Sequence, residues 1–347
     1  MGDDNDSDSP DEKVVSESED EEDLHVSLTR LPTREHPCVA KLKPLTFTIL
    51  PDEFFMIVYG ARRTGKTHAI SCLLDEIKDR FDFAYLFSKT AGLHKGDKKF
   101  SDFDMIVDDA KFDGYDEDIL SRILERQRAV MLHNNAKENA HDQKPNKTLI
   151  IFDDFVNDKR IRYSQLFTDL PIMGRHLDIS VICLTQGYSA VAIGGLNKAT
   201  RDNADLVMTF LPRNMNDTER ISEWYLTKSK GENMWFVRSV GKMKHRALAC
   251  DLTQPHLTEY EDFCYSCMAP AKIPKYELGK VQWKLLKEEK KRQKQAAMQE
   301  QIEHERRFYS TNPQEMEKYQ RLGQATGIPN KRAKLSLFDT FNTQSGF

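Results

Sequence analysis

Residues 54–67 read Phe-Phe-Met-Ile-Val-Tyr-Gly-Ala-Arg-Arg-Thr-Gly-Lys-Thr. The first six form a continuous apolar run closed by a glycine, the pattern of a strand buried on both faces of a parallel sheet. Gly60 to Thr67 then match G-x-x-x-x-G-K-[ST] in full. Beyond the loop, Thr67–Asp79 sets Ile70, Leu73, Leu74 and Ile77 at helical spacing. Strand, glycine-rich turn and amphipathic helix in that order are the context in which this motif cradles phosphate. The glycines let successive N–H groups converge on one anion, and the helix N-terminus adds its dipole. Gly60, Ala61, Arg62, Arg63, Thr64, Gly65, Lys66, Thr67 and His68 are therefore expected to line a nucleoside triphosphate. Lys66 would reach the β- and γ-phosphates, and the Thr67 hydroxyl would hold Mg²⁺.

Outward from this unit the same alternation continues. Phe83–Phe87, Thr148–Phe152, Ile179–Leu184 and Leu206–Phe210 read as buried strands, and Ile119–Leu132 and Tyr163–Leu170 as helices. Leu45–Leu50, rich in β-branched residues, reads as a short strand before the loop. Trp235–Val240 and Ala247–Leu252 read as an antiparallel pair closing the domain. The expected fold is an α/β P-loop NTPase with a mostly parallel central sheet flanked by helices.

Such an enzyme needs a carboxylate at the tip of a neighbouring strand. Thr148–Phe152 ends in Asp153-Asp154. Asp153 is expected to hold the Mg²⁺ shell and Asp154 to orient or deprotonate the attacking water. Gln186 follows Ile179–Leu184; if that strand lies between the other two, its polar tip sits beside the γ-phosphate. Arg175 precedes the strand and Arg201 follows it, and each is a candidate arginine finger for a neighbouring subunit's triphosphate. Asn197-Lys198-Ala199-Thr200 lacks the Asp of a guanine-reading motif, which argues against GTP.

The ordered set of Gly60–Thr67, Leu149-Ile150-Ile151-Phe152-Asp153-Asp154, Gly174-Arg175-His176, Gln186 and Arg201-Asp202-Asn203 resembles the genome-packaging ATPases of large DNA viruses and Maverick/Polinton-like elements, in the FtsK–HerA branch of P-loop motors. The likeness covers roughly residues 40–250. It implies an ATP-driven motor, working as a homo-oligomeric ring, that moves double-stranded DNA into a preformed capsid and docks on a capsid or portal protein. It carries Lys66, Thr67, Asp153, Asp154 and Gln186 over as the nucleotide site, with Arg175 the first choice for the trans-acting finger and Arg201 the second. Many such motors have Glu where this chain has Asp154. A host nucleus or a cytoplasmic virus factory would be the place of action, with association with the virion a further expectation.

Composition fits one folded body with two solvated arms. Of 347 residues 39% are hydrophobic and 31% charged, and the net charge of −4 hides an asymmetry. Residues 1–23 carry a net −11 and residues 271–347 a net +7, while 24–270 are balanced. The expected division is an acidic disordered arm over 1–28, an ATPase domain over 29–270, and a basic helical or flexible tail over 271–347. No apolar run approaches the ~20 residues of a membrane span, and the acidic start has no signal-peptide pattern. Six scattered cysteines fit a reducing compartment.

Cations that would face a DNA backbone are Lys89, Lys95, Lys98 and Lys99, then Lys198 and Arg201, although ordinary solvated surface explains any one of them. Lys284–Lys294 and Pro329–Leu335 resemble nuclear-import stretches and equally a DNA- or capsid-binding arm. Cys264 and Cys267 form a lone C-x-x-C that His245, Cys250 and His256 would complete as a zinc site, against the plainer reading of buried thiols. Two other functions fit the residues: a helicase-like or recombination NTPase that remodels nucleic acid, and a nucleotide-switched assembly scaffold.

Overall fold

The computed structural model describes residues 34–89, 103–137, 143–154, 158–186, 196–254, 258–312 and 314. The acidic segment 1–28, Lys95, Lys98, Lys99, His256 and Pro329–Leu335 lie outside the described residues. The chain divides into two units, 1–282 and 283–347.

The first unit is built on a nine-stranded sheet. In chain order the strands are β1 (Lys43–Pro44), β2 (Phe55–Tyr59), β3 (Phe83–Ser88), β4 (Lys111–Asp113), β5 (Thr148–Asp153), β6 (Ile179–Thr185), β7 (Leu206–Phe210), β8 (Arg246–Asp251) and β9 (Cys264–Met268). Across the sheet they run β1-β9-β8-β7-β2-β6-β5-β3-β4. All pairs from β7 through β2, β6, β5 and β3 to β4 are parallel; β8 is antiparallel to both β7 and β9. Every residue of β2, β5, β6 and β7 is buried, as expected of parallel strands covered on both faces.

The helices are α1 (Lys66–Ile77), α2 (Glu117–Asn135), α3 (Lys159–Tyr163), α4 (Gln165–Gly174), α5 (Lys198–Asp202), α6 (Met215–Tyr225), α7 (Lys230–Gly241), α8 (Tyr260–Phe263) and α9 (Lys280–Thr311). α1 buries Ile70, Leu73, Leu74 and Ile77, the face its spacing announces. α2 starts where Asp116 accepts a hydrogen bond from the Ile119 N–H, and it buries Leu120, Ile123 and Leu124. The expected Tyr163–Leu170 helix is two helices broken at Ser164, whose hydroxyl accepts from the Phe167 N–H and restarts the chain as α4.

Two strand expectations are corrected. Leu45–Leu50 is a turn: Phe47–Ile49 is a 3₁₀ segment that buries Phe47 and Leu50, with the Phe47 N–H donating to Glu76 at 2.8 Å. Trp235–Val240 lies within α7, which buries Met234, Phe236, Val237 and Val240, a 3–4-residue spacing that belongs to a helix. The partners of Ala247–Asp251 are therefore β7 and β9.

After β9 the chain turns back across α1. Tyr276 donates its hydroxyl hydrogen to the Ser71 carbonyl, and Gln282 accepts from the Ala84 N–H at 2.8 Å. In the second unit the described part belongs to α9, whose run from Lys284 to Lys294 is exposed or half-exposed. Among the described residues no helix is long and apolar enough to cross a membrane.

Candidate nucleotide site

Register places the site. Tyr59 of β2 lies opposite Thr185 of β6, and Leu184 of β6 opposite Asp153 of β5. The three strands run the same way and end level, so Gly60, Gln186 and Asp154 leave the sheet side by side. β6 does lie between β2 and β5. Ligands in open α/β sheets bind at this carboxyl edge.

The loop from Gly60 to Thr67 is held by its own backbone and by the sheet. The Gly60 N–H donates to the Thr185 carbonyl at 3.1 Å, and the Thr64 hydroxyl donates to the Ala61 carbonyl at 2.8 Å. Gly65 stands at φ +108°, and a Cβ added there would lie 2.7 Å from the Cβ of Ala269. Both the conformation and the contact require glycine.

Lys66 folds back over this loop. Its Nζ donates to the carbonyls of Gly60 at 2.7 Å and Ala61 at 3.3 Å. Burial lowers its pKa, and the fields of Asp153 and Asp154 oppose that lowering. Both acids therefore sit within electrostatic reach of the loop lysine, although nearly ninety residues separate them from it in sequence. Thr67 and His68 follow in the first turn of α1, both half-buried.

Asp153 is buried at the end of β5. Asp154 is turned out at φ +51°, a left-handed conformation that aspartate tolerates better than most residues. Its Oδ1 accepts a hydrogen bond from Gln186 Nε2 at 2.7 Å. The residues fit a metal–nucleotide pair: a partly desolvated cation, a hydroxyl in the first turn of a helix, and two acids close enough to be felt by that cation.

The two arginines lie elsewhere. Arg175 is exposed, in the 3₁₀ turn before β6, at the edge of the sheet opposite the loop. The seven residues of β6 span about 20 Å, more than an arginine side chain can reach. Arg175 lines a cavity of about 430 Å³ there with Glu53, His176, Asp205 and Thr253. Arg201 is buried. Its Nη1 donates to the Leu196 carbonyl at 2.6 Å, and its guanidinium lies 4.0 Å from the Trp224 ring centroid. In this conformation its guanidinium packs against residues of its own chain.

Of the expected DNA-facing lysines, Lys89 lies 3.9 Å from Asp158 and Lys198 pairs with Asp202 at 2.5 Å. Cys264 and Cys267 do not form a zinc pair. Three apart on β9, they face opposite sides of the strand. Burial pushes both thiols up, Cys267 to about 12. Among the described residues no group of three or more His, Cys, Asp or Glu side chains could hold a metal ion. His245, considered for zinc, instead contacts the phosphate loop: its Nδ1 lies 2.9 Å from the Thr64 carbonyl oxygen. No local motif marks that role.

A parallel sheet with a glycine-rich loop, its lysine and two strand-tip acids at one edge defines a P-loop NTPase. The profile of the family described as Poxvirus A32 protein matches residues 46–244, and the chain belongs to that family. Among solved structures, the chain is similar to the genome packaging NTPase B204 of Sulfolobus turreted icosahedral virus 2 in complex with sulfate, at 15% identity and a TM-score of 0.41, covering 64% of this chain and 99% of that one. It is also similar to the pCW3 conjugation coupling protein TcpA with ATPgS, at 11% identity and a TM-score of 0.43, covering 63% and 61%. A third is EssC from Geobacillus thermodenitrificans, at 13% identity and a TM-score of 0.37, covering 71% and 44%. A search of curated proteins finds no match.

Proposed function

We propose that this chain, an ATP-hydrolysing motor of the viral genome-packaging class, binds MgATP on the Gly60–Thr67 loop and uses the energy to drive double-stranded DNA into a capsid. The observation that carries the site is the convergence of Lys66, Asp153 and Asp154 on one sheet edge. Loop N–H groups and Lys66 bind the phosphates. Thr67 and Asp153 would hold Mg²⁺, which neutralises phosphate charge when bound. Asp154, held through one carboxylate oxygen by Gln186, orients a water and takes its proton as the water oxygen attacks the γ-phosphorus and the bond to the β-phosphate oxygen breaks.

Arg175 is the proposed finger. Its place on the far edge is out of reach of its own site, so the role proposed for it is at a neighbouring subunit's site in a homo-oligomeric ring. Arg201 has a packing role. A capsid or portal protein is the proposed docking partner, and a host nucleus or a virus factory the proposed place of action. The Lys284–Lys294 run supports either a nuclear-import or a DNA-facing role for the tail.

The test is ATP hydrolysis with and without double-stranded DNA, for wild type and Asp154→Asn. Expected are DNA-stimulated turnover in the wild type and, in the variant, a loss on the order of 10²–10⁴-fold with ATP still bound. Full activity in Asp154→Asn would overturn the assigned base. Absence of DNA stimulation would overturn the coupling.

A further inference from the structure

His245 sits in the turn between α7 and β8 with its backbone in the left-handed region at φ +65°. Its own carbonyl accepts from the Ala269 N–H at 2.9 Å, which ties the turn to the residue just beyond β9. From there the imidazole reaches across 181 positions of sequence to the loop, with Nδ1 2.9 Å from the Thr64 oxygen. A carbonyl oxygen only accepts, so Nδ1 carries the hydrogen and donates it. Ala269 and Phe210 pack against the same part of the loop, around Gly65.

In a trans peptide the C=O and N–H of one unit point in opposite directions, and the described residues contain no cis bond. A donor that grips the Thr64 carbonyl therefore also sets the direction of the Gly65 N–H, aiming it away from His245 and the β8–β9 hairpin. This peptide needs an external hold, because Gly65 lacks the Cβ that would restrict rotation. A flipped 64–65 peptide would present a carbonyl oxygen where a phosphate requires a donor.

We propose that His245 is a positioning residue of the nucleotide site, a latch that holds the Thr64–Gly65 peptide with its N–H turned to the phosphates. This rests on the reading of Gly60–Thr67 as the triphosphate loop. The latch comes from the added antiparallel strands rather than from the parallel core.

Two substitutions separate the side chain from the backbone. His245→Gly keeps the left-handed turn and removes the donor. His245→Asn keeps both, since its amide nitrogen donates from nearly the same place as Nδ1 and asparagine tolerates positive φ. Affinities for ATP, ADP and AMP are measured on the full chain by displacement of a fluorescent ATP analogue, with melting temperatures alongside. His245→Gly is expected to bind ATP and ADP about tenfold more weakly, the scale of one lost charge-assisted hydrogen bond. Gly65 adjoins Lys66, the residue read as meeting the β- and γ-phosphates, so the latched N–H is assigned to the β-phosphate. AMP, which lacks that phosphate, should bind as in wild type, and His245→Asn should recover ATP affinity to within about twofold of wild type, the donor being restored. Wild-type ATP affinity in His245→Gly, or an equal loss for AMP, overturns the latch. A Lys66→Ala control that binds ATP like wild type would instead overturn the nucleotide-site reading.

Discussion

Gln186 Nε2 donates to Asp154 Oδ1 across 2.7 Å, joining the tips of two adjacent parallel strands. In the proposed mechanism one end of this bond belongs to the acid that activates water, and the other is a neutral amide that fixes the acid's orientation.

Gln186→Ala should lower kcat by roughly one order of magnitude while leaving the KM for ATP within about twofold, because it removes orientation of the base rather than a phosphate contact. Steady-state kinetics over a range of ATP concentrations decides this. A rise in KM with kcat unchanged would show Gln186 to be a binding group instead.

Lys66 must be charged to hold phosphate, and burial lowers its pKa against the pull of Asp153 and Asp154. Raising the pH through that lowered value removes the ammonium from the free enzyme, so kcat/KM should fall in the alkaline range below the ordinary lysine value of about 10.4. The linkage runs the same way. With the folded pKa below the unfolded one, charged Lys66 costs the nucleotide-free protein stability at neutral pH, and the cost is relieved as pH rises through the folded value. Lys66→Arg keeps a cation at every accessible pH, so its residual activity should lack the alkaline limb. A limb that persists in Lys66→Arg would assign it to another group.

Arg201 and Arg175 should separate cleanly. Arg201→Lys loses the planar contact with Trp224 and should cost about 1–2 kcal/mol in urea unfolding. Arg175→Ala, at an exposed position, should leave unfolding unchanged within about 0.5 kcal/mol and abolish most turnover. Mixing Arg175→Ala with Asp154→Asn subunits should restore part of the activity, since each supplies what the other lacks at a shared interface. No recovery on mixing would remove Arg175 as a trans-acting group.

Much of the fold is legible in the sequence wherever the signal is local and long enough. The apolar runs of β2, β5 and β6 exceed what a half-buried strand allows, and α1 repeats its apolar face over three turns. Trp235–Val240 shows the limit: six residues do not distinguish alternation from a helical face when Met234, Phe236, Val237 and Val240 are all apolar. Leu45–Leu50 shows another, since β-branched residues without a neighbouring strand settle as a turn packed on α1.

By itself the sequence determined the phosphate loop, the glycine that loop requires, the acid pair and the strands that carry them, because each is written in consecutive residues with a period of their own. Only the tertiary structure decided that β6 runs between β2 and β5, that Gln186 therefore reaches Asp154, that Arg201 turns inward while Arg175 faces the far edge, and that His245 touches Thr64. Those relations depend on strand order and on contacts across as many as 181 residues. No local periodicity encodes them, because they arise only when distant segments bury their apolar faces against one another.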